Sequence, residues 1–339
     1  MSDGQERNGR EEAAYRHHHA ALLNRPGVTG VGLGLRRRGG RLTDEVVVKV
    51  FVAHKREKAN LPASAVMPAT LEAPQGEAAV DVEEMLPPDI PPLHAPRLDS
   101  TMAASRLRVP RRPAVGGASV AHHAFPVGTV ALGMRHRSSG AHCILSCNHV
   151  LSQLGAARLG DEVLQPAPAD GGVLPLSIIG GVLRWTPVAF GGVERNMTDA
   201  AIATCAPGQA RSWVDGIGAI TAVAPAIALG ARVRKVGRAT GLTSGIVTVV
   251  GASVRPNYAP LGFGQTPALF VNQIVAEIDC AYGDSGSLLV DEENRAVGLL
   301  FGGTRSGHTW FNPFNAVCSA LDIELLDEDA RREAPGTVS

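Results

Sequence analysis

Gly283-Asp284-Ser285-Gly286-Ser287, followed by the apolar run Leu288-Leu289-Val290, is the stretch on which the reading of this 339-residue chain turns. A serine hydroxyl is a poor nucleophile at neutral pH. It becomes a good one when a base takes its proton and backbone N–H groups wait for the oxyanion. Glycines on both sides let the backbone turn tightly and come close to a substrate. The segment has the make-up of a nucleophile loop with its own anion pocket. The alternative is a plain Asp-Ser-Gly turn leading into a strand, and the rest of the chain decides between the two.

A serine nucleophile needs an imidazole, and the imidazole needs a carboxylate to fix its tautomer. Of the 11 histidines, His149 closes the apolar run Ile144-Leu145-Ser146-Cys147-Asn148-His149, a place from which a polar pair can point into a cleft. Asp199 stands directly before Ala200-Ala201-Ile202-Ala203, at the mouth of a strand of small and apolar residues. Asp284 adjoins the nucleophile and reads as holding the loop. The order His149, Asp199, Ser285 is the one found in the two-barrel hydrolases, and it separates the chain into a half with the base and a half with the nucleophile.

With these residues in place, the stretch from about 115 to 328 resembles the chymotrypsin/trypsin-fold serine peptidases. Gly283-Asp284-Ser285-Gly286 matches the nucleophile motif, and Ser287 stands where animal enzymes carry a second glycine, as in bacterial members. Asn148-His149-Val150 lacks the cysteine that follows the histidine in secreted animal enzymes. Thr198-Asp199-Ala200-Ala201-Ile202 is similar to the family's aspartate-plus-strand motif. Gly160-Asp161-Glu162-Val163-Leu164-Gln165-Pro166 and Lys235-Val236-Gly237-Arg238-Ala239-Thr240-Gly241 resemble a bacterial trypsin-like branch, whose small N-terminal β module a plant protein of the narrow-leaf type shares. The resemblance implies an acyl-enzyme mechanism with His149 as base, Asp199 as orienter and the Gly283 and Ser285 amides as oxyanion hole. It also implies a specificity pocket with Asp279 at its base and Gly302 and Gly303 on its wall, hence cleavage after Arg or Lys. Arg112-Pro113-Ala114-Val115-Gly116-Gly117 has a faint likeness to a zymogen activation site.

The composition fits this frame. Hydrophobic residues at 45% and charged residues at 19% describe a globular protein. With 39 Gly, 23 Pro and only 4% aromatics, the chain is suited to short strands and many turns. A formal net charge of +0 supplies no field that would draw it to nucleic acid or membrane. The first residues are polar with no apolar leader, and the five cysteines are an odd number, so reduced thiols in the cytoplasm are expected. No closely spaced second cysteine pair completes a zinc site, and neither metal nor cofactor is expected.

Along the chain, residues 1–27 read as a polar tail with His17-His18-His19 in a solvated stretch. Residues 28–85 read as a small α+β module. It opens with Val28-Thr29-Gly30-Val31-Gly32-Leu33-Gly34-Leu35, a strand with close backbone neighbours, and turns at Gly39-Gly40. Residues 86–113 form a proline-rich linker with a basic end at Arg106, Arg108, Arg111 and Arg112. Residues 114–330 form the trypsin-like domain, with a helix expected over Asn315 to Leu326, and 331–339 form a tail. The fold class is mainly β: two antiparallel barrels with a C-terminal helix, preceded by the module. The function expected is a serine endopeptidase acting on protein or peptide substrates, with a regulatory partner for the module. The alternatives are an inactive protease-fold binding protein and, opposed by the chain order, a serine esterase on another fold.

Overall fold

The computed structural model describes residues 9–91, 104–262, 267–304 and 306–326. The expected C-terminal tail, 331–339, lies outside the described residues. The chain is mainly β, with one closed six-stranded barrel and one curled half-barrel.

The first barrel is built from Ser119–His122, Leu132–His136, His142–Ser146, Glu162–Leu164, Ile178–Trp185 and Ala201–Thr204. These are short strands separated by Gly, Pro and Asn, and their inward residues Val120, Leu132, Leu145, Val163 and Ile202 are buried. Its last strand comes from far away in sequence. Helix α3, Phe314–Leu321 (α1 and α2 are placed below), ends where Asp322 takes a left-handed conformation at φ 57°, and the chain then pairs Ile323–Leu325 with Leu132–His136. The expected helix over Asn315 to Leu326 is therefore shorter. Its apolar spacing continues into a strand because the partner strand, rather than the local sequence, decides the conformation there.

The second barrel uses Arg232–Gly237, Gly241–Val254, Leu269–Glu277, Leu288–Val290, Arg295–Gly303 and His308–Pro313. They belong to a twelve-stranded sheet that does not stop at the barrel. Val28–Arg38 pairs antiparallel with Gly241–Val254, and through Arg41–Val52 and Gly76–Glu84 the sheet runs on to Thr70–Ala73. A Cβ on Gly30, Gly32 or Gly34 would collide with Ser253, Val249 or Thr248 of the barrel strand, and on Gly34 with Lys49 of the neighbouring module strand as well. The module at 28–85 is thus the outer part of the second barrel's own sheet.

Two readings of the N-terminal half need correction. The stretch read as a polar tail contains helix α1, Gly9–Leu23, whose Ala14, Leu22 and Leu23 pack on Val31, Val48 and Val50. Other inward positions of α1 are polar and bonded: Tyr15 donates to the Gly251 carbonyl at 2.5 Å, His18 meets the Glu72 carbonyl at 3.0 Å, and His19 meets the Ser253 hydroxyl at 2.7 Å. A helix docked by hydrogen bonds carries a weak apolar stripe, so it read as solvated. The described linker residues are likewise committed. Ile90 and Leu107 are buried, Arg106 and Arg111 both pair with Asp215, and Arg112 bonds Gln165.

Candidate active site

Strand His142–Ser146 runs out at Cys147 and turns into the short helix α2, Asn148–Leu151. Asn148 anchors that turn by donating to the Thr186 carbonyl at 2.7 Å. His149 follows and meets Asp199, which stands just before Ala201–Thr204, the strand paired with His142–Ser146. The His149 backbone N–H donates to Asp199 Oδ1 at 3.0 Å, and His149 Nδ1 lies 2.8 Å from Oδ2. A carboxylate at that distance keeps the imidazole proton on Nδ1 and leaves the lone pair on Nε2. Asp199 is tied to the other barrel as well, its N–H donating to Asn312 Oδ1 at 2.8 Å.

Ser285 sits in the loop before Leu288–Val290, laced to both barrels. Thr129 of the first barrel donates through its N–H to the Ser285 carbonyl at 2.8 Å and through its hydroxyl to the Gly283 carbonyl at 2.7 Å. Gly286 donates to the Leu300 carbonyl at 2.8 Å. Gly286 has φ +96°, and a Cβ there would strike Ser146 Oγ and the Thr129 carbonyl, so only glycine brings the loop this close. Among the described residues, the N–H groups of Gly283 and Ser285 donate to no protein acceptor.

Asp284 is fully buried and accepts from Lys235 Nζ at 3.0 Å, Thr240 Oγ1 at 2.6 Å, and the backbone N–H groups of Ala239, Thr240 and Ala281. Its buried cation is Lys235, itself fully enclosed. The faint activation-site likeness at Arg112-Pro113 has no role in this geometry: the aspartate that a freed N-terminus would reach already has its ammonium partner. Gly237 of the same motif is required because a Cβ there would occupy the Asp284 carboxylate.

His149 and Ser285 are 0% and 1% exposed, and neither His149 Nε2 nor Ser285 Oγ hydrogen-bonds to the other or to any described residue. Buried polar atoms without partners are rare in folded proteins and ask for an explanation. With its proton on Nδ1 the imidazole offers a lone pair at Nε2, and the Ser285 hydroxyl offers a proton, the two functions that a base and its nucleophile need. Phe125 lies edge-on to the His149 ring at 6.2 Å. Cys147, His149 and Asp199 put one ligand atom each within 4.8 Å of one another. Burial, and then the Asp199 charge, push the Cys147 thiol far above its ordinary range, and it donates to the Leu300 carbonyl at 3.0 Å. A protonated thiol and an imidazole nitrogen already held by Asp199 suit proton transfer better than metal ligation.

The expected pocket residues divide. Asp279 is exposed, its carbonyl accepting from Thr243 at 3.3 Å, so it lacks the burial that a carboxylate at the base of an Arg/Lys pocket calls for. Gly302 and Gly303 end the strand Arg295–Gly303, just past Leu300, which pairs with the nucleophile loop. Their free edge is taken by the linker. Asp89 donates to the Gly303 carbonyl at 3.0 Å and accepts from the Gly303 N–H at 3.4 Å, an antiparallel pairing. Ile90 packs on Gly302, where a Cβ would collide with it. On the linker's other side Asn257 bonds Pro88, Ile90 and the Asp89 carboxylate.

Sequence reasoning missed three contributors. Lys235 was quoted as part of a motif without its role as the Asp284 partner. Asn312 and Tyr258, which bond Asp199, carried no signal, since a polar residue near a strand end and a tyrosine in a Pro-rich loop are unremarkable until the fold places them.

Residues 11–83 match the NARROW LEAF 1 N-terminal domain, a span that runs from α1 into the last of the four module strands. Among solved structures, Thermobifida fusca Protease A is similar at 20% identity and a TM-score of 0.45, covering 62% of this chain and 97% of that one. A glutamic acid specific serine protease with a histidine triad in substrate binding is similar at 20% identity and a TM-score of 0.46, covering 63% and 100%. Cellulomonas bogoriensis chymotrypsin is similar at 19% identity and a TM-score of 0.44, covering 62% and 97%. No curated protein matches the chain.

Proposed function

We propose that this chain, a NARROW LEAF 1-type N-terminal domain continued into a two-barrel body, is a serine endopeptidase. The observation that carries the reading is that His149 Nε2 and Ser285 Oγ are both buried and unpartnered, with Asp199 bonded to Nδ1 on the other side of the imidazole. In the reaction, Ser285 Oγ attacks the scissile carbonyl as His149 Nε2 takes its proton. The oxyanion forms against the Gly283 and Ser285 amides. The C–N bond then breaks as His149 returns the proton to the leaving amine, and water repeats the sequence on the acyl-enzyme. Loss of one oxyanion donor costs about 3–4 kcal/mol in comparable enzymes.

A fluorophosphonate probe tests this directly, since it bonds to an activated serine oxygen with loss of fluoride. Labelling of the full chain is expected, with none in Ser285→Ala or His149→Gln. The finer proposal of cleavage after Arg or Lys rests on Asp279 as the pocket base with Gly302 and Gly303 as its wall, and the exposure of Asp279 weighs against it. A fluorogenic peptide panel in which P1 Leu or Phe exceeds P1 Arg overturns that part and leaves the acyl-enzyme chemistry standing. A cytoplasmic setting is proposed on the five free cysteines. No helix among the described residues is long and apolar enough to cross a membrane. A regulatory partner for the N-terminal domain is part of the same reading.

A second reading, an inactive protease-fold binding protein, is favoured by one observation: the edge beside Ser285 is already paired with Asp89. Absence of labelling on intact wild type would select it.

A further inference from the structure

Asp199 is held by more than His149. Its Oδ2 receives two donors, His149 Nδ1 at 2.8 Å and the Tyr258 hydroxyl at 2.9 Å. Building on the peptidase reading, we infer that Tyr258 is a positioning residue of the triad, fixing the Asp199 carboxylate and moderating the basicity that it passes to His149.

Tyr258 lies between the strand Gly241–Val254 and the turn Ala259–Leu261, and it is only 2% exposed. Its ring is clamped. Phe190 meets it edge-on at 5.5 Å and Phe270 stacks at 6.2 Å, with Phe301, on the strand that borders the nucleophile loop, stacked behind at 5.0 Å. A rigid ring delivers its hydroxyl to one place, and there it donates to Asp199 Oδ2. Burial, and then the charge of Asp199, push the phenol's ionisation far above its ordinary range, so it stays protonated and keeps the proton that it donates to the carboxylate. The titratable groups around Asp199 are then His149, this phenol and the Cys147 thiol, and both of the latter stay protonated.

A donor on a carboxylate oxygen draws off part of its negative charge. Removing the phenol leaves Oδ2 with His149 as its single side-chain donor. The charge concentrates on that bond, the imidazolium gains, and His149 becomes more basic. The carboxylate also loses the contact that opposes its rotation.

Tyr258→Phe keeps the ring and its packing and removes the oxygen. The acid limb of kcat/KM is expected to move up by about half a pH unit. A fall of about three- to tenfold in kcat is expected with KM nearly constant, because the phenol is buried behind the triad. A core variant chosen to match its loss of thermal stability, Val317→Ala in α3, is expected to leave the limb in place. Should both variants move it equally, loosened packing is the cause and the inference falls. His149 is titrated in parallel by its imidazole resonances, assigned against His149→Gln, a readout that needs no turnover. A raised His149 pKa in Tyr258→Phe, with wild type inactive on every substrate, supports the positioning role and overturns the peptidase reading. Turnover with coincident His149 titrations in the two proteins does the reverse.

Discussion

Five donors on one carboxylate make Asp284 the most heavily bonded side chain near the nucleophile, and Lys235 supplies the only cation among them. Removing one partner of a buried pair leaves the other charge without compensation. Lys235→Met is therefore expected to destabilise the protein by about 3–5 kcal/mol, read as a lowered urea midpoint. The Ser285 loop should lose its fluorophosphonate labelling with it. A cost under about 1 kcal/mol would show that the Thr240 hydroxyl and the three backbone donors hold Asp284 without a cation. At this scale the sequence showed the candidate residues and hid their supports. Ser285, His149 and Asp199 stand out because the proposed reaction calls for those residue types in a recognisable order. Lys235, Asn312 and Tyr258 only have to reach a particular atom, and a chain gives no local sign of where a side chain will arrive once the barrel and the half-barrel have formed.

At the scale of strands, the seam between the outer and inner parts of the large sheet is charged. Lys49, 2% exposed, pairs with Asp81 at 2.8 Å and with Glu83, while Glu83 also faces Arg37 and His308. Burial opposes ionisation of Glu83, yet the bonds from His308 and Lys49 and their charges outweigh it and hold the carboxyl at about 2, against an ordinary 4.5. A depressed folded-state pKa stabilises the fold above the unfolded value and loses that contribution as pH falls. The window is therefore pH 4.5 down to about 2, and the contribution is on the order of 3 kcal/mol. Glu83→Gln should be less stable than wild type by urea denaturation at pH 7, and the two should converge near pH 2. A constant gap across that range would remove Glu83 from the acid response.

The linker strand carries a kinetic expectation. A peptide that adds to Gly302 and Gly303 must first displace Asp89. Asp89→Pro removes the N–H given to Gly303 and the carboxylate held by Asn257. KM is expected to fall several-fold for peptides extended on the acyl side and to stay constant for a single-residue ester. Unchanged KM for both would mean that substrates reach Ser285 without using this edge. The sequence showed prolines here and therefore suggested an idle spacer. Proline fixes extended backbone, and extended backbone is also what a sheet edge recruits.

For the molecule as a whole, the barrel order was legible from the triad, because a histidine and aspartate in one half and a serine in the other leave the seam as their meeting place. The union of the module with the second barrel was legible only as the glycines at 30, 32 and 34, whose purpose appears when Gly241–Val254 lies against them. A chain lacking residues 1–85 should expose one edge of that strand over residues 249–254. It is expected to be recovered as aggregates, with a soluble monodisperse product counting against the dependence.

The same seam has a consequence in time. Val28–Arg38 leaves the ribosome long before Gly241–Val254 exists, and the bond from Tyr15 to Gly251 joins residues 236 apart. All of the first barrel except Ile323–Leu325 is synthesised in that interval. Pairings so distant are slow to form, and an unpaired edge in a growing chain is open to the wrong neighbour. The earliest described strand to emerge is thus an expectant one, its edge waiting for a partner that is made only after most of the first barrel.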